Sequence, residues 1–244
     1  MIKIGIMAFL RKDQIDFTIE KIKENTVNDF EFLIACDSKE LYDHCVRKGY
    51  PCIGGTERVG YAKNRNRLHE WFSAGGDDFF KFDDDCYPIK RGWDQWILDA
   101  HEETGYPYFL FAPSCKMYGN QIGTIVFTNY TATLWELDGS IMVSMKPAII
   151  ERLGGIHIGF GKYGGESSEF SQRVARLGLI PKRGISLEKM DEWLWTPHID
   201  EYMKMGPRGA LSEWDGKQEE ADFALSMWPE ISTTSNIYQP LITE

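Results

Sequence analysis

The chain has 244 residues, a formal charge of −10, and 43% hydrophobic and 26% charged residues. That balance excludes a disordered or fibrous chain, and the length suits one α/β domain able to bury roughly 70–75% of its unfolded surface. No apolar run, not even Ile2 to Leu10, is long and unbroken enough to span a bilayer, and the acidic balance weighs against general affinity for a phosphate polymer.

Ile2 to Phe9 is an apolar, β-branched run that predicts a strand. Because it reads directly as a strand and lacks the cleavage pattern of a signal segment, a soluble, cytoplasmic protein is expected. A helix follows from about Gln14 to Glu24, where Ile15, Ile19 and Ile22 recur at helical spacing. Glu31 to Cys36 predicts the second strand, closed by Asp37-Ser38, which can cap a helix carrying Leu41 and Cys45. A short strand at Pro51 to Ile53 ends in Gly54-Gly55, a helix runs from about Tyr61 to Phe72, and Phe79 to Phe82 leads straight into Asp83-Asp84-Asp85. Such alternation predicts a mainly parallel sheet flanked by helices, with ligands held outside the carboxyl ends of its strands. Asp37, Gly54-Gly55 and the aspartate triplet then share one edge.

The second half is less regular. Tyr108 to Ala112, Gly123 to Thr128 and Ser140 to Ser144 read as strands of a small mixed extension, and Lys146 to Leu153 as a short helix ending at Gly154-Gly155. A helix from Glu166 to Leu177 and a strand within Leu179 to Ser186 follow, and a long loop with a docked segment is expected from Ile199 onward. Without repeats or low-complexity tracts, residues 1–244 read as one domain.

Four features carry chemistry. Adjacent carboxylates at Asp83, Asp84 and Asp85 repel by roughly 1–4 kcal/mol per close pair, a cost that a hard divalent cation removes; a solvated acidic loop is the alternative. Arg58, Lys63, Arg65 and Arg67 outnumber Glu57, giving residues 55–67 a local charge of +3 in an acidic protein. A basic helix start suits a diphosphate, although it can equally be a solvated face. Paired glycines at Gly154-Gly155 and Gly164-Gly165 allow close backbone approach, and Glu166 and Glu169 share one face of the helix that follows. His198, after Trp193, Trp195 and Pro197, can complete a carboxylate metal site. His44, His69 and His101, each expected on a helix and without partners, are read as surface residues, and five cysteines without a Cys-x-x-Cys pair are read as reduced thiols.

In this order the four features resemble the GT-A glycosyltransferases, the Rossmann-like fold of nucleotide-sugar enzymes. The likeness is to the family-2-like group, and the glycine–glutamate segment is most similar to polypeptide N-acetylgalactosaminyltransferases and β-1,4-galactosyltransferases. Gly60-x-x-x-x-Arg65-Asn66 resembles the segment preceding the metal motif, Asp83-Asp84-Asp85 the Asp-x-Asp element, and Tyr163-Gly164-Gly165-Glu166 the aromatic-Gly-Gly-Glu element. The resemblance implies a metal-dependent transfer of sugar from a nucleotide-diphosphate sugar, with UDP-sugars favoured, to an acceptor hydroxyl. It implies Mn²⁺ or Mg²⁺ held by Asp83, Asp85 and His198. Donor contacts would come from Asp37, Lys63, Arg65, Asp83, Asp84 and Gly165, and catalytic roles would fall to Glu166, Glu169 and Arg65. The position after Glu166 is Ser167 where galactosyltransferase-like enzymes carry an aspartate base, so the stereochemical course stays open. Residues 1–115 would bind the donor, 116–200 the acceptor, and 201–244 form a lid loop and terminal segment. The acceptor may be sought among carbohydrates, proteins or a hydroxymethylated base in DNA. A non-catalytic sugar-nucleotide or metal-binding module, and a metal-dependent hydrolase or nucleotidyltransferase, are the alternatives from other classes.

Overall fold

The computed structural model describes residues 1–55, 57–111, 113, 121–135, 141–156, 158, 166–182 and 184–196. Seven elements alternate as expected: β1 (Ile2–Ala8), α1 (Lys12–Asn25), β2 (Phe30–Cys36), α2 (Lys39–Lys48), β3 (Cys52–Gly54), α3 (Tyr61–Ser73) and β4 (Asp78–Asp83). Local chemistry sets the boundaries. Ser38 Oγ accepts a hydrogen bond from Leu41 N at the start of α2, and Gly49 ends that helix in the left-handed conformation. Beyond β4 come β5 (Tyr87–Pro88), α4 (Trp93–Thr104), β6 (Tyr108–Phe111), β7 (Gln121–Val126), β8 (Thr131–Trp135), β9 (Met142–Met145), α5 (Pro147–Leu153), α6 (Glu166–Arg176), β10 (Gly184–Leu187) and β11 (Leu194–Trp195).

The main sheet has the order β3-β2-β1-β4-β9-β6. Its first four strands are parallel, while β9 runs antiparallel to both β4 and β6. The strands expected near Tyr108 to Ala112 and Ser140 to Ser144 therefore lie in this sheet, as β6 and as β9 inserted beside β4, rather than in a separate extension. The extension is a separate antiparallel sheet of order β10-β8-β7, and β5 and β11 form a two-stranded ribbon. Strand β8 was not anticipated in the sequence, helix α4 only as a helix without bounds around His101, and the strand expected over Leu179 to Ser186 is confined to β10.

Two helical layers cover the main sheet. On one side Ile15, Ile19 and Ile22 of α1, Leu41 of α2, and Trp93 and Ile97 of α4 are buried. Trp93 meets Phe80 and Phe82 of β4 edge-on, with ring centroids at 4.8 and 5.2 Å. On the other side Phe72 of α3 stacks on Phe79 of β4 at 4.0 Å. Helices α5 and α6 join that layer, because Asn66 and Arg65 of α3 bond to Ile156 and Ser167. No helix among the described residues is long and apolar enough to cross a membrane.

The histidines correct an expectation. His101 is buried, with Nδ1 2.6 Å from Tyr106 O and Nε2 3.1 Å from Ser144 Oγ. His69 is buried beside Arg65, and His44 lies 2.9 Å from Asp16. Arg65 is one turn before His69 on α3, but the partners of His101 and His44 come from β9, the turn after α4 and α1, which helical spacing does not reveal.

Candidate active site

Strand β4 alternates by the pleat: Phe80 and Phe82 face α4, while Phe79, Lys81 and Asp83 face α3. The chain then leaves the sheet at its carboxyl edge, and the three aspartates separate. Asp83 Oδ1 lies 2.6 Å from Lys81 Nζ, a side chain with 0% exposure, yet accepts no hydrogen bond of good angle. Asp84 turns toward β1, where its carboxylate accepts from Phe9 N at 3.3 Å, while its carbonyl accepts from Thr18 Oγ1 at 2.7 Å. Asp85 is buried and hydrogen-bonded to Arg11, whose Nη1 also lies 3.5 Å from Asp84 Oδ1. Burial pushes the Asp84 carboxyl up to about 7; Asp85 and Asp83 add to this, whereas Arg11 and Phe9 N–H oppose it. Burial also raises Asp83 and lowers Lys81, and their mutual attraction opposes both shifts.

The start of α3 lies at the same edge. Asp37, at the end of β2, accepts from Val59 N at 2.7 Å and Gly60 N at 3.2 Å, so its carboxylate fastens the loop entering α3. Gly60 adopts φ +86 there, a conformation that side chains other than glycine resist. Arg58 lies against the Phe9 ring at 4.4 Å and reaches Asp37 at 4.0 Å. Lys63 is exposed on the first turn of α3. Arg65 has 0% exposure: Nε donates to His69 Nε2 at 3.3 Å, Nη1 donates to Ser167 Oγ at 3.1 Å, and Nη2 has no hydrogen-bond partner among the described residues. It therefore lies beneath the cleft rather than on its wall. Burial, reinforced by Arg65, Arg173 and Lys81, drives His69 well below its ordinary value and keeps it neutral.

Asn66 links this helix to the turn after α5. Its side chain donates to Ile156 O at 2.7 Å and accepts from Ile156 N at 2.6 Å. A Cβ on Gly155 would sit 2.5 Å from Asn66 Oδ1, so the second glycine of the Gly154-Gly155 pair is required by that approach. Glu166 and Glu169 are both buried on the inner face of α6, as their spacing predicted. Arg173 bonds both Glu169 oxygens, and its guanidinium also donates to Leu153 O and Gly155 O, each at 2.7 Å. Glu169 is thus part of a clamp between α6 and α5. His198 and Gly165 lie outside the described residues.

Of the residues singled out, Asp37, Asp83, Asp84, Asp85 and the start of α3 come to one edge, and Arg65 brings α6 with Glu166 to it. Sequence reasoning missed Lys81, Arg11 and Tyr61. Lys81 had a signal: it is the one charge inside an apolar strand, two residues from Asp83. Lys81 Nζ also lies 5.4 Å from the Tyr61 ring centre, and burial raises the Tyr61 hydroxyl.

The donor chemistry at the tip of β4 fits a hard divalent cation, being all carboxylate oxygen with one buried oxygen short of a hydrogen bond. Among the described residues no three His, Cys, Asp or Glu side chains enclose an ion by themselves. Such cations commonly complete their shell with water and substrate phosphates.

No family model matches the sequence, and no curated protein matches it. Solved structures do. The mannosyltransferase PcManGT from Pyrobaculum calidifontis, in complex with GDP-Man and Mn²⁺, superposes with a TM-score of 0.55 at 14% identity, over 72% of this chain and 52% of that one. GalNAc-T7, crystallised with UDP, GalNAc and Mn²⁺, gives 0.57 at 12% identity, over 76% of this chain and 41% of that one. The chain thus spans about half the length of these structures, or less. With the sheet order above, the likeness establishes the GT-A fold.

Proposed function

We propose that the chain transfers a sugar from a nucleotide-diphosphate sugar to an acceptor hydroxyl, in the cytoplasm, with Mn²⁺ or Mg²⁺ at the tip of β4. The reading is supported by one convergence. At the carboxyl edge of a GT-A sheet an acidic strand tip meets a basic helix start, and a buried acid, Glu166, opens a second helix alongside.

Asp83 and Asp85 would hold the cation, joined in this proposal by His198. When bound, the cation neutralises charge on the departing nucleotide diphosphate. Lys81 holds the Asp83 carboxylate in one orientation from below. Lys63 and the N-terminus of α3 meet the phosphates, where a cation and aligned backbone dipoles both favour negative charge. Asp84 and Asp37 line the nucleoside side, and Gly165 lets the donor approach the backbone. Glu166 orients the sugar hydroxyls and is the acid nearest to take the acceptor proton. Arg65 acts beneath it as a positioning residue, fixing Ser167, the next residue of α6. Glu169, clamped by Arg173, serves as a positioning residue. Residues 1–115 bind the donor in this reading and 116–200 the acceptor, with 201–244 assigned to a lid loop and terminal segment that lie outside the described residues.

The test is a melting panel of UDP-, GDP-, CMP- and dTDP-sugars with and without Mn²⁺. A ligand at 100 times its dissociation constant adds about 2.7 kcal/mol of stability. One sugar nucleotide should raise the melting temperature only with the metal present, and Asp85→Ala should abolish that rise together with donor turnover. A flat panel, or full turnover by Asp85→Ala, overturns the assignment.

A further inference from the structure

We propose that Arg11 is a resident counter-cation for Asp84 and Asp85, which a divalent cation must displace before it can occupy the tip of β4. The inference rests on the metal reading above and goes beyond it, because it concerns the state of the site before metal arrives.

Three adjacent carboxylates, two of them buried, need positive charge nearby whether or not a metal is bound. Two cations supply it, in different ways. Lys81 lies within the sheet with 0% exposure, between Asp83, Ile141 O and the Tyr61 ring, so it cannot leave without unpacking β4. Arg11 stands at the start of α1, just past the end of β1, and its side chain is 53% exposed. One nitrogen, Nη1, makes both of its carboxylate contacts. Withdrawing it into water breaks those contacts and little else. The site thus combines a fixed cation under Asp83 with a movable one over Asp84 and Asp85.

A ligand that needs the minor, open state of a site binds with its affinity reduced by the fraction open. Arg11 in place therefore weakens metal binding, and its removal should strengthen it. This is opposite to the effect of removing a residue that helps to build a metal site.

The experiment follows Mn²⁺ binding to the full chain, without nucleotide, through loss of the free-Mn²⁺ electron paramagnetic resonance signal. Arg11→Ala should bind Mn²⁺ about tenfold more tightly than the wild type, and Arg11→Lys, which keeps the charge, should stay near the wild type. In EDTA the alanine variant should melt lower than the wild type, and saturating Mn²⁺ should raise its melting temperature more. Arg11→Gln, nearly equal in length and uncharged, repeats the measurement should the alanine variant fail to fold. Wild-type binding with unchanged or weaker binding by both uncharged variants overturns the role of Arg11 and leaves the metal reading standing. No Mn²⁺ bound by wild type or variants overturns both.

Discussion

The two sides of the main sheet bury polar groups under opposite rules. Toward α4, β4 presents Phe80 and Phe82 to Trp93; of the buried polar residues of α4, His101 is held neutral between Tyr106 O and Ser144 Oγ, and Asp94 accepts from Val27 N and Asn28 N. Toward α3, the same strand presents Phe79, then Lys81, then Asp83, with Arg65 and His69 packed close by. One side is stabilised by close-packed aromatic surface, the other by charges that compensate one another in a low dielectric. Charge is concentrated on the side and at the end where the donor is proposed to bind, and the opposite side supplies the rigidity that holds it there.

Three measurements break or sharpen that contrast. Trp93→Ala removes the ring that fills the α4 side and should cost about 4 kcal/mol in urea unfolding, with the stabilisation conferred by Mn²⁺ unchanged. Lys81→Met leaves Asp83 without its cation and should cost about 3 kcal/mol. Here Mn²⁺ should restore part of the loss, since a divalent ion supplies the missing charge. Equal responses of the two variants to Mn²⁺ would erase the distinction between the sides. The third measurement uses pH. Burial lowers His101 to about 4, against an ordinary value of 6.5. As pH falls through that window the unfolded chain takes up a proton before the folded one does, so stability declines from about pH 6.5 to about pH 4 and is level above. The contribution is about 2 kcal/mol at pH 5. His101→Gln should flatten that part of the acid profile, and His69→Gln should flatten a further part, because its shift has the same direction.

The half of the fold up to β4 was legible because each strand there is a compact apolar run closed by turn residues and each helix repeats its apolar positions. The bounds of helix α4 were not legible because its buried face mixes Trp93, Asp94, Ile97, Ala100 and His101, which form no clean apolar stripe. The place of β9 between β4 and β6 was not legible at all, because strand order depends on pairing across the sheet. At the site the grouping of Asp37 with the aspartate triplet at one sheet edge followed from residue type and order, whereas the Asn66–Gly155 approach did not, because the paired glycines were read as room for a ligand. Nor did the buried cations. Arg65 resembles an ordinary surface charge in sequence, and although Lys81 stands out inside its apolar strand, only the fold shows that their partners are Ser167 and Asp83.

The insertion of β9 has a bearing on how the chain matures. Asp83 N donates to Ile141 O at 2.9 Å, and Lys81 Nζ reaches the same carbonyl at 3.3 Å, so the acidic tip is tethered by the residue that leads into β9. That segment is synthesised nearly sixty residues after β4 and must thread beside it before β6 gains its neighbour. Long-range pairing of this kind is slow relative to helix formation. The acidic tip of β4 is therefore complete only once that later segment has docked, so its geometry depends on a contact between regions of the chain 60 residues apart.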